Sequence, residues 1–151
     1  MVVFERTAPP LSELDIKRVE NRLGIRLPQD LKEHYLLHNG GSPRPEVFVK
    51  DGEAYDVDCF FPMNIVTEGR SFERTYVMMV KQTPQFPKGY IPFADTTGAW
   101  FFMYSVNPES FGSIMFNQPE YYGDDERYVL FLAPTLKQFI DSLTELPEGW
   151  Q

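Results

Sequence analysis

The stretch SELDIKRVENRLGIRLPQDLKEHYLLHNGG, residues 12–41, reads as two short helices separated by Leu27-Pro28. Ser12 is a good N-cap, and Glu13 and Asp15 fall in the first turn, where the helix dipole favours anions. Ile16, Val19 and Leu23 recur at i, i+3 and i+7, which gives one apolar stripe, and Gly24 stops the helix. Pro28 opens the second helix at a position where its missing N–H costs nothing. Leu31, Tyr35 and His38 lie along one face of that helix, beside Leu27 and His34, and Asn39-Gly40-Gly41 supplies left-handed residues to end it. Each helix has an apolar face that needs a second layer to cover it.

The rest of the chain supplies that layer as strands. An extended arm ending at Pro9-Pro10 precedes the helices. Val47-Phe48-Val49 and the run from Val57 to Phe61 read as strands joined by an acidic turn around Asp51-Gly52. A third helix is expected from Ser71 to Lys81, with Phe72, Tyr76, Met79 and Val80 as its buried face, broken by Pro84 and Pro87. Tyr90 to Ala94 is short and contains Pro92, so it is expected to sit at an edge or to end early. Ala99–Val106 and Ser113–Phe116 read as strands around the Asn107-Pro108 turn, followed by an acidic loop from Glu120 to Glu126 and a short strand from Tyr128 to Leu132. Pro134-Thr135 opens a last helix with Leu136, Phe139, Ile140 and Leu143 on one face, and the tail from Pro147 is expected to be loose. Helices come first and last with strands between them and no βαβ alternation. The expectation is one α+β domain over residues 1–151 with a mainly antiparallel sheet.

Composition narrows the function classes. The chain has 151 residues, enough to bury a core, and 15% aromatic residues. Cys59 is the only cysteine, which excludes a disulfide framework and a cysteine-based zinc cluster. No basic-then-apolar leader opens the sequence, and no apolar run could span a bilayer, so the cytoplasm is the expected location. The net charge of −8 is unevenly spread. Residues 1–50 hold eight Lys/Arg against seven Asp/Glu, and residues 51–151 hold six against fifteen. A surface of that kind repels nucleic acid and anionic membranes and attracts a basic protein.

The residues that could carry chemistry are few. His34 and His38 have the i, i+4 spacing that can hold zinc on a helix, but the glutamate that a metalloprotease needs after the first histidine is replaced by Tyr35. They are read as partly buried histidines hydrogen-bonded to nearby backbone. Cys59, within an apolar strand, is read as a buried, inert thiol. Asp51, Glu53, Asp56 and Asp58 fail the spacing of a calcium loop and are read as a solvated acidic hairpin. Glu120, Asp124, Asp125 and Glu126 form a second acidic group, interleaved with Tyr121 and Tyr122, a composition found both at interfaces and in plain surface loops. These ten residues, from Asp51 to Glu126, are the candidate partner-binding set. There is no phosphate loop or nucleophile elbow, so no catalytic residue, metal or cofactor is signalled.

Two separated blocks, taken in order, resemble a known superfamily. The first is Leu23-Gly24-Ile25-Arg26-Leu27-Pro28 followed by Tyr35-Leu36-Leu37-His38-Asn39-Gly40-Gly41. The second is Ile91-Pro92-Phe93-Ala94-Asp95 with Gly98, then Trp100 to Ser105, then Gly112-Ser113-Ile114. The order and spacing resemble the SUKH superfamily over roughly residues 12–143, with the helix at Leu136–Leu143 matching its closing helix. One departure is Asp95-Thr96-Thr97-Gly98-Ala99-Trp100, where many relatives carry more Gly, Asp or Asn. The resemblance implies an α+β fold and no catalysis. It also implies a protein partner: many bacterial members neutralise a toxin, often a nuclease or deaminase, and fungal members regulate cell-wall synthesis. It offers no universal site residues. A carboxylate-dependent hydrolase is the remote alternative, and it predicts a deep pocket with convergent Asp/Glu of raised pKa.

Overall fold

The computed structural model describes residues 2–65, 70–123 and 128–149. The expected N-terminal arm forms β1 (Val3–Glu5), followed by α1 (Glu13–Leu23) and α2 (Gln29–Leu37). Ser12 caps α1 in a capping box with Asp15, and Gly24 ends it at φ 71°. Pro28 precedes α2 and its carbonyl accepts from the Lys32 N–H. Glu20 braces the hinge by accepting the Leu27 N–H at 2.7 Å.

The end of α2 differs from the expectation. The helix stops at Leu37, and His38 is already extended at φ −141°. Gly40 and Gly41 do take positive φ, at 73° and 100°, but beyond the helix. Their work is close approach. A Cβ on Gly40 would lie 2.7 Å from the Pro62 backbone, and one on Gly41 would lie 2.5 Å from the Glu5 carbonyl oxygen. Gly41 exchanges two backbone hydrogen bonds with Phe60, at 2.8 and 3.0 Å. Asn39, fully buried, donates to the carbonyls of Pro9 and Met63 and accepts the Met63 N–H at 2.7 Å. Asn39-Gly40-Gly41 is therefore a clamp joining the arm, the helices and the sheet.

β2 (Ser42–Arg44) pairs antiparallel with β1, and the Gly41–Phe60 bridge continues this ribbon into the main sheet. β3 (Val47–Lys50) and β4 (Glu53–Asp56) form a separate hairpin. Asp51 and Gly52 turn it with φ of 51° and 81°, the mirror-image turn that Asp-Gly favours. The second strand of this hairpin is thus Glu53–Asp56, not the expected Val57–Phe61. The apolar run instead yields β5 (Cys59–Phe60), which joins a different sheet, because Phe60 and Phe61 are wholly buried there.

That sheet has the order β5-β6-β7-β8-β9, with β6 (Tyr90–Asp95), β7 (Phe101–Ser105), β8 (Ile114–Asn117) and β9 (Val129–Ala133), and every pairing is antiparallel. β6 is not an edge strand, as its proline suggested. Pro92 is tolerated because β5 pairs only with Ala94 and Asp95, and a bulge falls between Pro92 and Ala94. α3 (Phe72–Tyr76) starts at the Ser71 cap but passes into a wider π-helical turn over Val77–Lys81, where β-branched Val77 and Val80 favour the α form less. Only Phe72 and Tyr76 of its expected face are fully buried; Met79 and Val80 are half-buried. α4 (Leu136–Asp141) closes the chain with Thr135 as its cap. Thr144 is bridged to Val47.

Strand alternation sorts the core into two faces. Phe102, Tyr104, Ile114 and Phe116 face the larger cluster, with Phe93, Phe139 and the stripes of α1 and α2. Met103 and Met115 face the other side, under Phe86, Met79 and Val80. Both faces are covered, which is why the strands read as unbroken apolar runs.

Candidate functional site

The turn from Asp95 to Trp100 and the segment after β8 lie at one end of the five-stranded sheet. The register places Asp95, Phe101, Asn117 and Val129 in a row across that end. Three of the acidic residues singled out in the sequence, Asp56, Asp58 and Glu120, lie around it. Asp56, at the end of β4, accepts the Thr97 N–H at 2.9 Å and also the Thr97 hydroxyl. Asp58 is paired with Arg70 at 2.9 Å, half-buried. Glu120 and Tyr121 occupy a short 3₁₀ turn, Pro119–Tyr121, just beyond β8. The Tyr122 hydroxyl accepts from Asn117 at 3.3 Å, and its ring meets Tyr128 edge-on at 6.0 Å. Glu53 is exposed beside the hairpin tip, where Asp51 occupies the turn itself. Asp124, Asp125 and Glu126 lie outside the described residues.

The structure thus brings Asp56, Asp58, Glu120, Tyr121 and Tyr122 to one end of the sheet, with Glu53 further along the same hairpin. Asp56 and Asp58 have internal work that the sequence did not reveal. Asp56 ties the hairpin to the Thr96–Trp100 turn, and Asp58 shares Arg70 with Asp95. Asp95 itself was missed. It is 1% exposed and accepts from Arg70 Nη1 at 2.6 Å and 2.8 Å. Burial raises its carboxyl above the usual range, opposed by the Arg70 guanidinium. The Asp95 position sits in the second resemblance block, but nothing in the sequence tied it to Arg70, 25 residues earlier.

Between the hairpin and the sheet runs an open groove of about 550 Å³, lined by Glu53, Tyr55, Asp56, Trp100, Phe116 and Leu130 among others. The turn that carries Trp100 is closed by Thr96 N–H to Trp100 C=O at 2.8 Å and Trp100 N–H to Thr96 Oγ1 at 3.2 Å. Ala99 takes φ 64° within it, a position where Gly or Asn is the easier fit.

The histidines do not form a helical pair, since His38 is outside α2. His34 is buried, its Nε2 makes no hydrogen bond, and burial pushes its pKa down to about 4. Both rings instead pack on Phe4, His38 stacked at 4.7 Å and His34 edge-on at 5.1 Å. Both histidines are expected from the sequence to hydrogen-bond to neighbouring backbone; for His34 Nε2 no such partner lies among the described residues, and its surroundings are aromatic. Cys59 is half-buried rather than buried, and burial raises its thiol pKa. Among the described residues no group of three or more His, Cys, Asp or Glu is placed to hold a metal ion, and no helix is long and apolar enough to cross a membrane.

The helix pair, the sheet order and the closing helix cover the segments in which the two sequence blocks lie. A family model, the SMI1 / KNR4 family (SUKH-1), matches residues 10–142. The chain belongs to the SMI1 / KNR4 family (SUKH-1). The match runs from the end of the N-terminal arm through α4, so the clamp, the groove and the 95–100 turn all fall within the SUKH-1 region. No curated protein matches the chain.

Proposed function

We propose that this SUKH-1 protein is a non-catalytic protein-binding module, an immunity protein acting in the cytoplasm that neutralises a basic toxin domain of nuclease or deaminase type. The observation that carries the reading is the gathering of carboxylates and tyrosines at one end of the sheet, beside a groove whose lining, among the described residues, holds no Lys or Arg. Toxins that cleave or modify nucleic acid present basic active sites, and an acidic face speeds association with them and covers the site. The hydrolase alternative requires convergent carboxylates of raised pKa in a deep pocket. Among the described residues the carboxylate raised by burial is Asp95, which is instead engaged by Arg70 and nearly closed to solvent.

The test is calorimetry between this protein and the product of the gene adjacent to its own. The expected result is a one-to-one complex whose affinity falls steeply as salt rises. Absence of binding at low salt would remove the immunity reading. A regulatory module, as in fungal relatives, would then predict several weaker partners and no toxin gene nearby.

A further inference from the structure

Three aromatic rings and two carboxylates meet in the groove between β4 and the β6–β7 turn. Phe116 forms its floor. Tyr55 stands edge-on to it with centroids 5.0 Å apart and planes at 66°, and Trp100 is tilted at 5.9 Å and 51°. Leu130 lines the groove beside them, and Glu53 and Asp56, both exposed, add the negative charge. A volume of about 550 Å³ is within the size of pockets that bury small ligands, roughly 300–1,000 Å³.

We propose that this groove receives one cationic side chain, an arginine or lysine, from the protein partner; the proposal rests on the protein-binding reading and gives it an anchor point. The aromatic faces carry negative charge density that attracts a cation, and the two carboxylates complement it. Among the described residues no Lys or Arg lines the groove to answer an anionic occupant, and a neutral apolar occupant would strip water from the carboxylates without compensation. Burial raises the Tyr55 hydroxyl pKa, and the nearby Glu53 and Asp51 carboxylates add to the rise. The cage is also built before a ligand arrives. Asp56 fastens the Thr97 backbone to the hairpin, and the Thr96–Trp100 hydrogen bonds fix the turn that presents the indole. Pre-ordering of this kind lowers the entropy cost of binding.

The experiment is a ¹H–¹⁵N NMR titration of the full chain with acetyl-Gly-Arg-Gly-amide, with the lysine peptide and the neutral citrulline peptide alongside. The expected result is saturable shifts at Thr97, Gly98 and the Trp100 indole with the arginine and lysine peptides and none with citrulline. Trp100→Leu is expected to weaken the arginine peptide about 2- to 30-fold, and Glu53→Gln, an exposed change that spares the fold, up to about 5-fold. Citrulline binding as tightly as arginine, or no saturable shift up to the solubility limit of the peptides, overturns the proposal. If the adjacent gene product binds the Glu53→Gln/Trp100→Leu double variant as tightly as wild type, the cationic anchor falls while protein binding stands. If the arginine peptide saturates the groove and that product does not bind at all, the anchor stands and the immunity reading falls.

Discussion

His34 is held neutral by its neighbours. Its ring lies against Phe4, Tyr35 and Phe60, and its Nε2 makes no hydrogen bond. Its pKa is pushed from 6.5 to about 4, first by burial and then by His38. The unfolded chain therefore binds the proton more readily than the folded one between those values. The associated stability is full above pH 6.5 and is lost as pH falls towards 4, an effect of about 3 kcal/mol in all. Urea denaturation at pH 7.5, 6 and 5 is expected to show falling midpoints in the wild type and a much flatter series in His34→Leu. Parallel series would refute it. A second residue carries strain of a different kind. Ala99 pays for a left-handed φ with a Cβ, so Ala99→Gly is expected to raise stability by about 0.5–1 kcal/mol in the same assay, and a loss of stability would contradict this.

At the scale of elements, the clamp after α2 is the most exposed to test. Asn39→Ala leaves the buried Met63 N–H and the Pro9 and Met63 carbonyls without their side-chain partner and is expected to cost at least about 2 kcal/mol in chemical denaturation. A change within about 0.5 kcal/mol, typical of a surface site, would show that the clamp does no work. The same segment shows how much was legible in sequence. Local chemistry was readable: the Ser12 cap, the Gly24 stop, the Pro28 opening, the Asp-Gly turn and the Thr135 cap each act within a few residues. Long-range demands were not. The glycines at 40 and 41 answer to Pro62 and Glu5, and Pro92 is tolerated because β5 ends short of it. The apolar 57–61 run broke the expected hairpin because its burial depends on the five-stranded sheet rather than on its sequence neighbour.

For the whole molecule, the charge asymmetry read from composition is carried in part by three carboxylates that the fold places near one another, with Arg70 there between Asp58 and Asp95. The two acidic segments are 62 residues apart from Asp58 to Glu120, and antiparallel pairing brings Asp56, Asp58 and Glu120 to one end of the sheet. What composition did not show is that Asp56 and Asp58 also brace the fold, or that Tyr55, Trp100 and Phe116 meet beside them, since ring contacts across three elements leave no local pattern. The central claim is that this end of the molecule is the binding surface. The most direct measurement is calorimetry of charge-reversed variants against the adjacent gene product. Glu53→Lys combined with Glu120→Lys is expected to weaken binding at least about 100-fold, because like charges then face the basic partner. Glu13→Lys, at the start of α1, is expected to change it less than about 2-fold, as for a charge outside the interface. Equal effects of the two changes, or none from the double reversal, would contradict the account.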